Sequence, residues 1–329
     1  MLVTEKANNR QLFLATHSRD FLRGVLDGES SQVTVIRIRR DGAVNQITQL
    51  DQARIRELWS DPLLRFSNVL DGIFHEAVVV TESDSDARFY AAVADVLFAE
   101  DLAGTHKPHV MFTDGGGKAR LPLVVKSLRL LGVPVKTVAD FDIFNDEHPL
   151  AELVEAAGGK WADFEGDWRT VKNAVDSKKP ELSTEEVSQQ ISAILTATKE
   201  KNFPVQAKRN IEQILRKSSA WAHAKTVGKT FVPSGGATQA CERLLNRLRS
   251  SGIFVVEVGE LEGFIRSIGG HATAWVAEAI QRNLKNDPEL EGARKFARDI
   301  FRADTTTSAS AAQQGVAALV GSASKKNRD

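Results

Sequence analysis

Four short apolar runs, each tied to a helical or polar stretch, restrict this chain to a small set of folds. Residues 77–81, 109–113, 133–139 and 253–258 read as strands. Residues 84–99 and 118–131 have helical spacing between the first three, and a helix is expected from about Glu260 after the fourth. A strand that is apolar along its whole length is covered on both faces, and strands that alternate with helices pair in parallel through crossovers. The expected fold class is therefore α/β, a parallel sheet flanked by helices.

Between the third and fourth strands no strong strand signal occurs. Residues 185–198, 205–216 and 237–250 have helical periodicity, and 148–230 is expected to form a helical insertion. Ahead of the sheet, Gln11-Leu-Phe-Leu-Ala-Thr-His-Ser18 reads as an apolar strand running into a polar turn, with a short helix from about 19 to 25. The alternating run 33–39, the turn Asp41-Gly42 and the return 43–50 form a hairpin signal. Residues 51–74 read as helical or mixed. Asp287-Pro288 breaks the chain before a last helix over 289–301. Residues 304–329 are rich in Ser, Thr, Ala and Gln, and are expected to be a flexible tail.

Carboxylates mark the strand ends. Glu82 and Asp86 follow the first core strand, and Asp140 and Asp142 follow the third. Parallel neighbours would bring these pairs together at the C-terminal edge, where open α/β sheets place their sites. Glu82 and Asp86 are i and i+4 near a helix start, and Asp140 and Asp142 are i and i+2 at a strand end, so each pair can share one side. Crowded carboxylates raise one another's pKa unless a cation sits among them. Hard oxygen donors suit Mg²⁺ or Mn²⁺. The pattern points to a divalent-metal enzyme acting on phosphodiesters. A single acidic residue after a strand is more simply a helix cap, and Asp84 reads as one.

Composition narrows the setting. Lys and Arg number 43, Asp and Glu number 43, and formal net charge is zero. A basic chain would have argued directly for nucleic acid, whereas neutrality leaves room for an acidic site opposed by a basic face. The only cysteine, Cys241, excludes an intramolecular disulfide and a Cys-rich zinc module, and fits a reducing cytoplasm. There is no apolar run of about 18 residues to cross a membrane, and the first residues do not read as a signal peptide. A cytoplasmic location without a membrane partner is expected.

Glu82 after one strand and Asp140-Phe-Asp142 after another resemble the motifs of the Toprim domain in type and order, with Ser83 where a glycine often follows the glutamate. Asp86 is similar to an additional acidic residue in a nuclease branch of that fold, and Asp114-Gly-Gly-Gly-Lys118 fits its second strand and turn. More specifically, the chain resembles the OLD (overcoming lysogenization defect) family of nucleases over about residues 10–303. Gln11-Leu-Phe-Leu-Ala-Thr-His-Ser18 resembles the switch-histidine strand of an ABC-type ATPase, which precedes Toprim in that family. Glu257-Val-Gly-Glu-Leu-Glu262 and the late helix around Lys295 are similar to further family segments.

That resemblance implies residues 1–74 as the C-terminal remnant of an ABC-type ATPase domain. It implies a Toprim nuclease domain over 75–147 and 231–303, interrupted by the helical insertion at 148–230. It implies two Mg²⁺ or Mn²⁺ ions held by Glu82, Asp86, Asp140, Asp142, Glu260 and Glu262. Glu82, Asp140 and Asp142 would be catalytic, and Lys295 would offset charge on the scissile phosphate. The implied activity is DNA cleavage or nicking in an antiphage or DNA-repair setting. The implied partners are DNA, an ATPase region preceding the chain and, in the full protein, a second copy. His17 would contact ATP only within a complete ATPase. No Gly-x-x-x-x-Gly-Lys-Ser/Thr occurs: His223 stands where Gly228-Lys-Thr230 needs its earlier glycine, and Ala119 follows Gly115-Gly-Gly-Lys118. No ATP binding is expected of this chain alone.

Two readings stay open beside the nuclease. The carboxylates could bind metal only to stabilise the fold of a non-catalytic regulatory or assembly module, or serve another Toprim phosphoryl-transfer enzyme. Tyr90 is the only tyrosine, and Arg88-Phe-Tyr-Ala-Ala92 reads as core rather than as a nucleophile's setting. A basic series that includes Lys199, Lys208, Arg209, Arg216, Lys217, Lys225 and Lys229 is either a solvated helix face or a phosphate-contacting surface. Lys208, Arg209 and Arg216 are the expected nucleic-acid contacts.

Overall fold

The structure, a computed structural model, describes residues 13–27, 33–41, 44–50, 68–101, 109–178, 182–199 and 202–302. Its centre is a four-stranded parallel sheet. The strands are β3 (Ala77–Thr81), β4 (Val110–Asp114), β5 (Val135–Ala139) and β6 (Ile253–Val255), in the order β4-β3-β5-β6. Thr81 pairs with Asp114, Val79 with Lys136, and Val138 with Phe254. The chain leaves β3 toward β4 and then crosses back to β5. The order therefore reverses between β3 and β5, and a crevice opens there at the strand ends.

Alternation along each strand splits the core in two. On one face, Val78, Val80, Ala139, Ile253 and Val255 meet α3 (Leu121–Leu130), α4 (Glu147–Ala156), α5 (Ala162–Asp176), α8 (Ala220–Val227) and α9 (Gly236–Ser250). On the other, Val79, Val138 and Phe254 meet α2 (Asp84–Asp101), α10 (Thr273–Gln281) and α11 (Glu291–Arg302). The result is a Rossmann-like arrangement with helices on both sides of the sheet. Among the described residues, no helix is long and apolar enough to cross a membrane.

The stretch between Asn145 and Phe231 behaves in two ways. Leu150, Leu153, Phe164, Trp168, Val171 and Trp221 from α4, α5 and α8 are buried in the same core as the sheet. By contrast, α6 (Thr184–Ala197) buries none of its described side chains, and α7 (Val205–Lys217) buries only Ala207 and Ile214 among them. α6 stands on its own start signal, a reciprocal capping box between Ser183 and Glu186.

A hairpin of β1 (Val35–Asp41) and β2 (Val44–Leu50) precedes the sheet, with Val35 opposite Leu50. The turn residues Gly42 and Ala43 lie outside the described residues, as do 51–67 and the tail. Arg37 fastens the hairpin to the body by donating to the carbonyls of Ile73, Gly132 and His75 at 3.0, 2.8 and 2.6 Å.

Three expectations need correction. Residues 13–18 do not form a buried strand: Phe13 is 77% exposed and no described strand lies beside them, while α1 (Arg19–Asp27) follows as expected. No α-helix starts at Glu260. A single 3-10 turn, Leu261–Phe264, forms there, and α10 begins only at Thr273. The strand expected over 133–139 starts at Val135, because Pro134 has no N–H to give the ladder.

Candidate functional site

Glu82 is the first residue beyond β3, and Asp140 the first beyond β5. They flank the crevice at the reversal of strand order. One Glu82 oxygen accepts the Asp140 backbone N–H at 2.9 Å, which ties the two strand ends together. Asp142 joins them from the 3-10 turn Phe141–Asn145. One carboxylate oxygen from each of Glu82, Asp140 and Asp142 lies within 4.8 Å of the others. Strand alternation is not what aligns the two aspartates, since both lie past the end of β5. The turn is fixed instead by burial of Phe141, Ile143 and Phe144. The Phe141 N–H donates to the Gly259 carbonyl at 2.7 Å, and the Trp168 indole N–H donates to the Phe144 carbonyl at 2.9 Å.

The charges are poised rather than relaxed. Burial, and next the charge of Glu82, push the Asp140 carboxyl well above the usual carboxylate range, against the pull of Lys225. Glu82 is raised by burial, with Asp142 and Asp86 adding to it and the Asp140 N–H opposing. Asp86 is raised by burial, although Ser83 donates to it from both its backbone N–H and its hydroxyl, at 2.9 and 2.8 Å. The Ser83 N–H bond and the Asp86 N–H, which donates back to the Ser83 Oγ at 3.3 Å, form a capping box at the start of α2, so Asp86 has a structural duty at the edge of the cluster.

Two lysines face the aspartates. Lys225 Nζ lies 2.8 Å from Asp140 Oδ2 and 3.4 Å from Asp142 Oδ1. Lys118 Nζ lies 3.2 Å from Asp142 Oδ2 and 2.9 Å from Asp146 Oδ2. Burial works against both ammonium groups, and the surrounding carboxylates outweigh it, so both pKa values are raised. Neither residue was singled out for this role by sequence. Lys118 had a usable signal, a Gly-rich turn leaving β4 at the same edge of the sheet. Lys225 had none, being separated from Asp140 by 85 positions.

A second group adjoins the first. Glu260, Glu262 and His271 bring one ligand atom each within 4.8 Å of one another. Glu262 accepts the Ala272 N–H at 2.7 Å and faces His271 Nδ1 at 2.5 Å. Ala272 holds a positive φ of 50°, so this loop carries backbone strain. His271 was not anticipated from sequence, because a lone histidine after Gly269-Gly270 carries no motif. Tyr90 is fully buried, and its hydroxyl has no hydrogen-bond partner among the described residues. Burial raises its pKa well above the ordinary value, and the charges of Asp86, Asp140 and Glu262 add to this. Its ring packs on Phe296 at 5.7 Å between centroids, the core position expected of it.

The remaining candidates lie elsewhere. Lys295 is exposed on α11 and has no ion pair or hydrogen bond among the described residues. His17 is exposed in the strandless segment before α1. Lys208 and Arg209 are exposed on α7, where Lys208 lies 3.8 Å from Glu212; the side chain of Arg216 lies outside what is described. Glu257 is occupied by Lys229 at 3.3 Å and Arg249 at 3.0 Å.

No protein-family model matches the chain, and no curated protein matches it significantly. The site's own chemistry therefore has to carry the functional argument. Glu82, Asp140 and Asp142 offer only hard oxygen donors, gathered closely, and burial disfavours the charged forms of Glu82 and Asp140. That donor set fits Mg²⁺ or Mn²⁺.

Proposed function

We propose that this chain is a divalent-metal-dependent phosphodiester hydrolase that cleaves or nicks DNA, built as a Toprim domain of the OLD nuclease type. The observation that supports it is the convergence of Glu82, Asp140 and Asp142 at the point where the strand order reverses. In this reading Glu82, Asp140 and Asp142 would hold one Mg²⁺ or Mn²⁺. Glu260 and Glu262 would hold a second, with Asp86 at the border. Bound cations would supply Lewis-acid charge for the attacking and leaving oxygens.

The chain's own side chains do the rest. Glu82 binds the Asp140 N–H and so fixes the spacing of the two strand ends. Lys118 and Lys225 place positive charge at the mouth of the cluster, where a phosphodiester must approach. Phe141 and Phe144 wall off the floor and keep water from the back of the turn. The reading carries with it an ATPase region preceding the chain, the helical insertion at 148–230, and Lys208, Arg209 and Arg216 as DNA contacts.

The decisive experiment is cleavage of supercoiled plasmid by wild type and Asp140→Ala with Mg²⁺, Mn²⁺, Ca²⁺ or EDTA. Nicked or linear DNA only with Mg²⁺ or Mn²⁺, and none from the variant, is the expected result. Relaxed topoisomers in place of nicks would sink it. One observation favours a second reading. Lys118 and Lys225 already neutralise part of the acidic charge without any cation, as a non-catalytic assembly module would need. In that case any metal the carboxylates hold would only stabilise the fold: EDTA would lower the melting temperature, and the plasmid would stay uncut with every cation.

A further inference from the structure

Lys225 does not reach Asp140 by chance of a flexible surface side chain. It sits in α8, whose Trp221 and Ala224 are buried in the main core. Just beyond, the backbone of the helix end crosses the loop that leads from β6 to Glu260. The Lys229 N–H donates to the Glu257 carbonyl at 2.8 Å. The crossing is so close that both strands of it need glycine. A Cβ at Gly259 would collide with the Lys225 carbonyl oxygen, and a Cβ at Gly228 would collide with the Glu257 carbonyl oxygen. Both glycines hold positive φ, 113° and 66°. Gly259 also accepts the Phe141 N–H. One backbone knot thus joins the base of Lys225, the Asp140–Asp142 turn and the approach to Glu260.

The ammonium that this knot delivers lies on the two aspartates, 2.8 and 3.4 Å from their oxygens. A divalent cation held by the same oxygens would lie within a few ångströms of it. Two positive charges that close repel strongly even at protein-surface screening. They cannot share the site in this arrangement. The Lys225 side chain is 34% exposed and has a flexible four-carbon stem, so it has room to swing toward solvent while its backbone stays fixed. The anion that arrives at that mouth in the proposed reaction is the substrate's phosphodiester.

We infer that Lys225 occupies the divalent-cation position between Asp140 and Asp142 in the metal-free protein, and that cation binding moves its ammonium onto the phosphate of the bound nucleic acid. The inference rests on the metal-dependent reading of the same site. It gives the phosphate-contacting role to Lys225 rather than to Lys295. It also makes metal loading and substrate contact two positions of one side chain.

The test measures Mn²⁺ affinity by calorimetry, near pH 8, for wild type, Lys225→Met, Lys225→Arg and Asp140→Ala, alongside plasmid cleavage at saturating Mn²⁺. Lys225→Met should bind Mn²⁺ about ten-fold tighter or more, since a competing charge is gone. Its cleavage rate should nevertheless fall about 100-fold. Lys225→Arg should keep near-wild-type affinity. A residue that merely supports the fold would lower affinity and rate together, and that outcome, or an unchanged affinity, overturns the inference. In wild-type protein, Mn²⁺ should also increase acetylation of Lys225 by acetic anhydride, read by mass spectrometry. Unchanged labelling overturns the inference even if the methionine variant fails to fold. The two levels separate cleanly. Tighter Mn²⁺ binding and freed Lys225 without any cleavage uphold the displacement and remove the nuclease. Absence of Mn²⁺ binding in all four proteins removes both.

Discussion

Glu82 accepts the backbone N–H of Asp140 at 2.9 Å, so the first acidic residue is bonded to the very position that carries the second. The two strand ends cannot separate without breaking that bond. A carboxylate used this way has one oxygen directed at the scaffold and the other left for a ligand.

Asp140→Ala should leave the fold intact and abolish cleavage, with at least about a 100-fold loss at saturating Mg²⁺. The circular dichroism spectrum should match wild type. Residual cleavage near the wild-type rate would show that the Asp140 carboxylate is not part of the reacting centre.

Stability of the metal-free protein should fall as pH rises. Asp140, Glu82 and Asp86 all have folded pKa values raised above their ordinary values, Asp140 well above. A raised carboxyl binds its proton more tightly folded than unfolded. Its stabilisation is complete below the unfolded pKa, about 4, and is lost as pH rises through the folded one. Asp140→Asn removes the largest of these losses. Its melting temperature relative to wild type should therefore rise from about pH 5 to about pH 8 in EDTA. A constant difference across that window would contradict the electrostatics described.

Tyr90→Phe should be neutral or slightly stabilising and should retain cleavage. The hydroxyl is buried without a partner among the described residues, and an unmatched buried polar group costs about 1–3 kcal/mol. A melting temperature equal to or above wild type, with full nicking activity, is the expected pair of results. Loss of activity in a folded Tyr90→Phe protein would instead mark this tyrosine as a nucleophile.

Gly259→Ala should be strongly destabilising for a single methyl group. A positive-φ strain of about 1–3 kcal/mol adds to an overpacking penalty of about 1–3 kcal/mol against the Lys225 carbonyl. Urea unfolding would show it as a lower midpoint with an unchanged slope. Gly117→Ala provides the contrast. It shares the positive φ but has nothing among the described residues within 4 Å of the added carbon, so it should carry the strain alone.

The parallel sheet was legible because its strands are continuous apolar runs, and Glu82 with Asp140 was legible because strand ends collect at one edge. The lysines were not. Lys225 reads as one member of a basic series on helices, and only the crossing at Gly228 and Gly259 turns it toward the aspartates. His271 reaches Glu262 through a loop held by the strained Ala272, a conformation no spacing rule announces. The run 11–18 misled in the opposite way: its apolar composition suggests burial, yet Phe13 and Leu14 are exposed where no described strand lies beside them.

The shared burial of α4, α5 and α8 with the sheet sets where this protein can change its length. The α6–α7 excursion buries few of its described side chains, so residues can be added or removed at its tip with little effect on the core. The stretch from Ala220 to Lys229 has no such latitude. A one-residue deletion there would rotate α8 by roughly 100° and carry Lys225 away from the aspartates. Relatives of this chain should vary in length between α5 and α8 while holding constant the count of residues from Trp221 to Gly228.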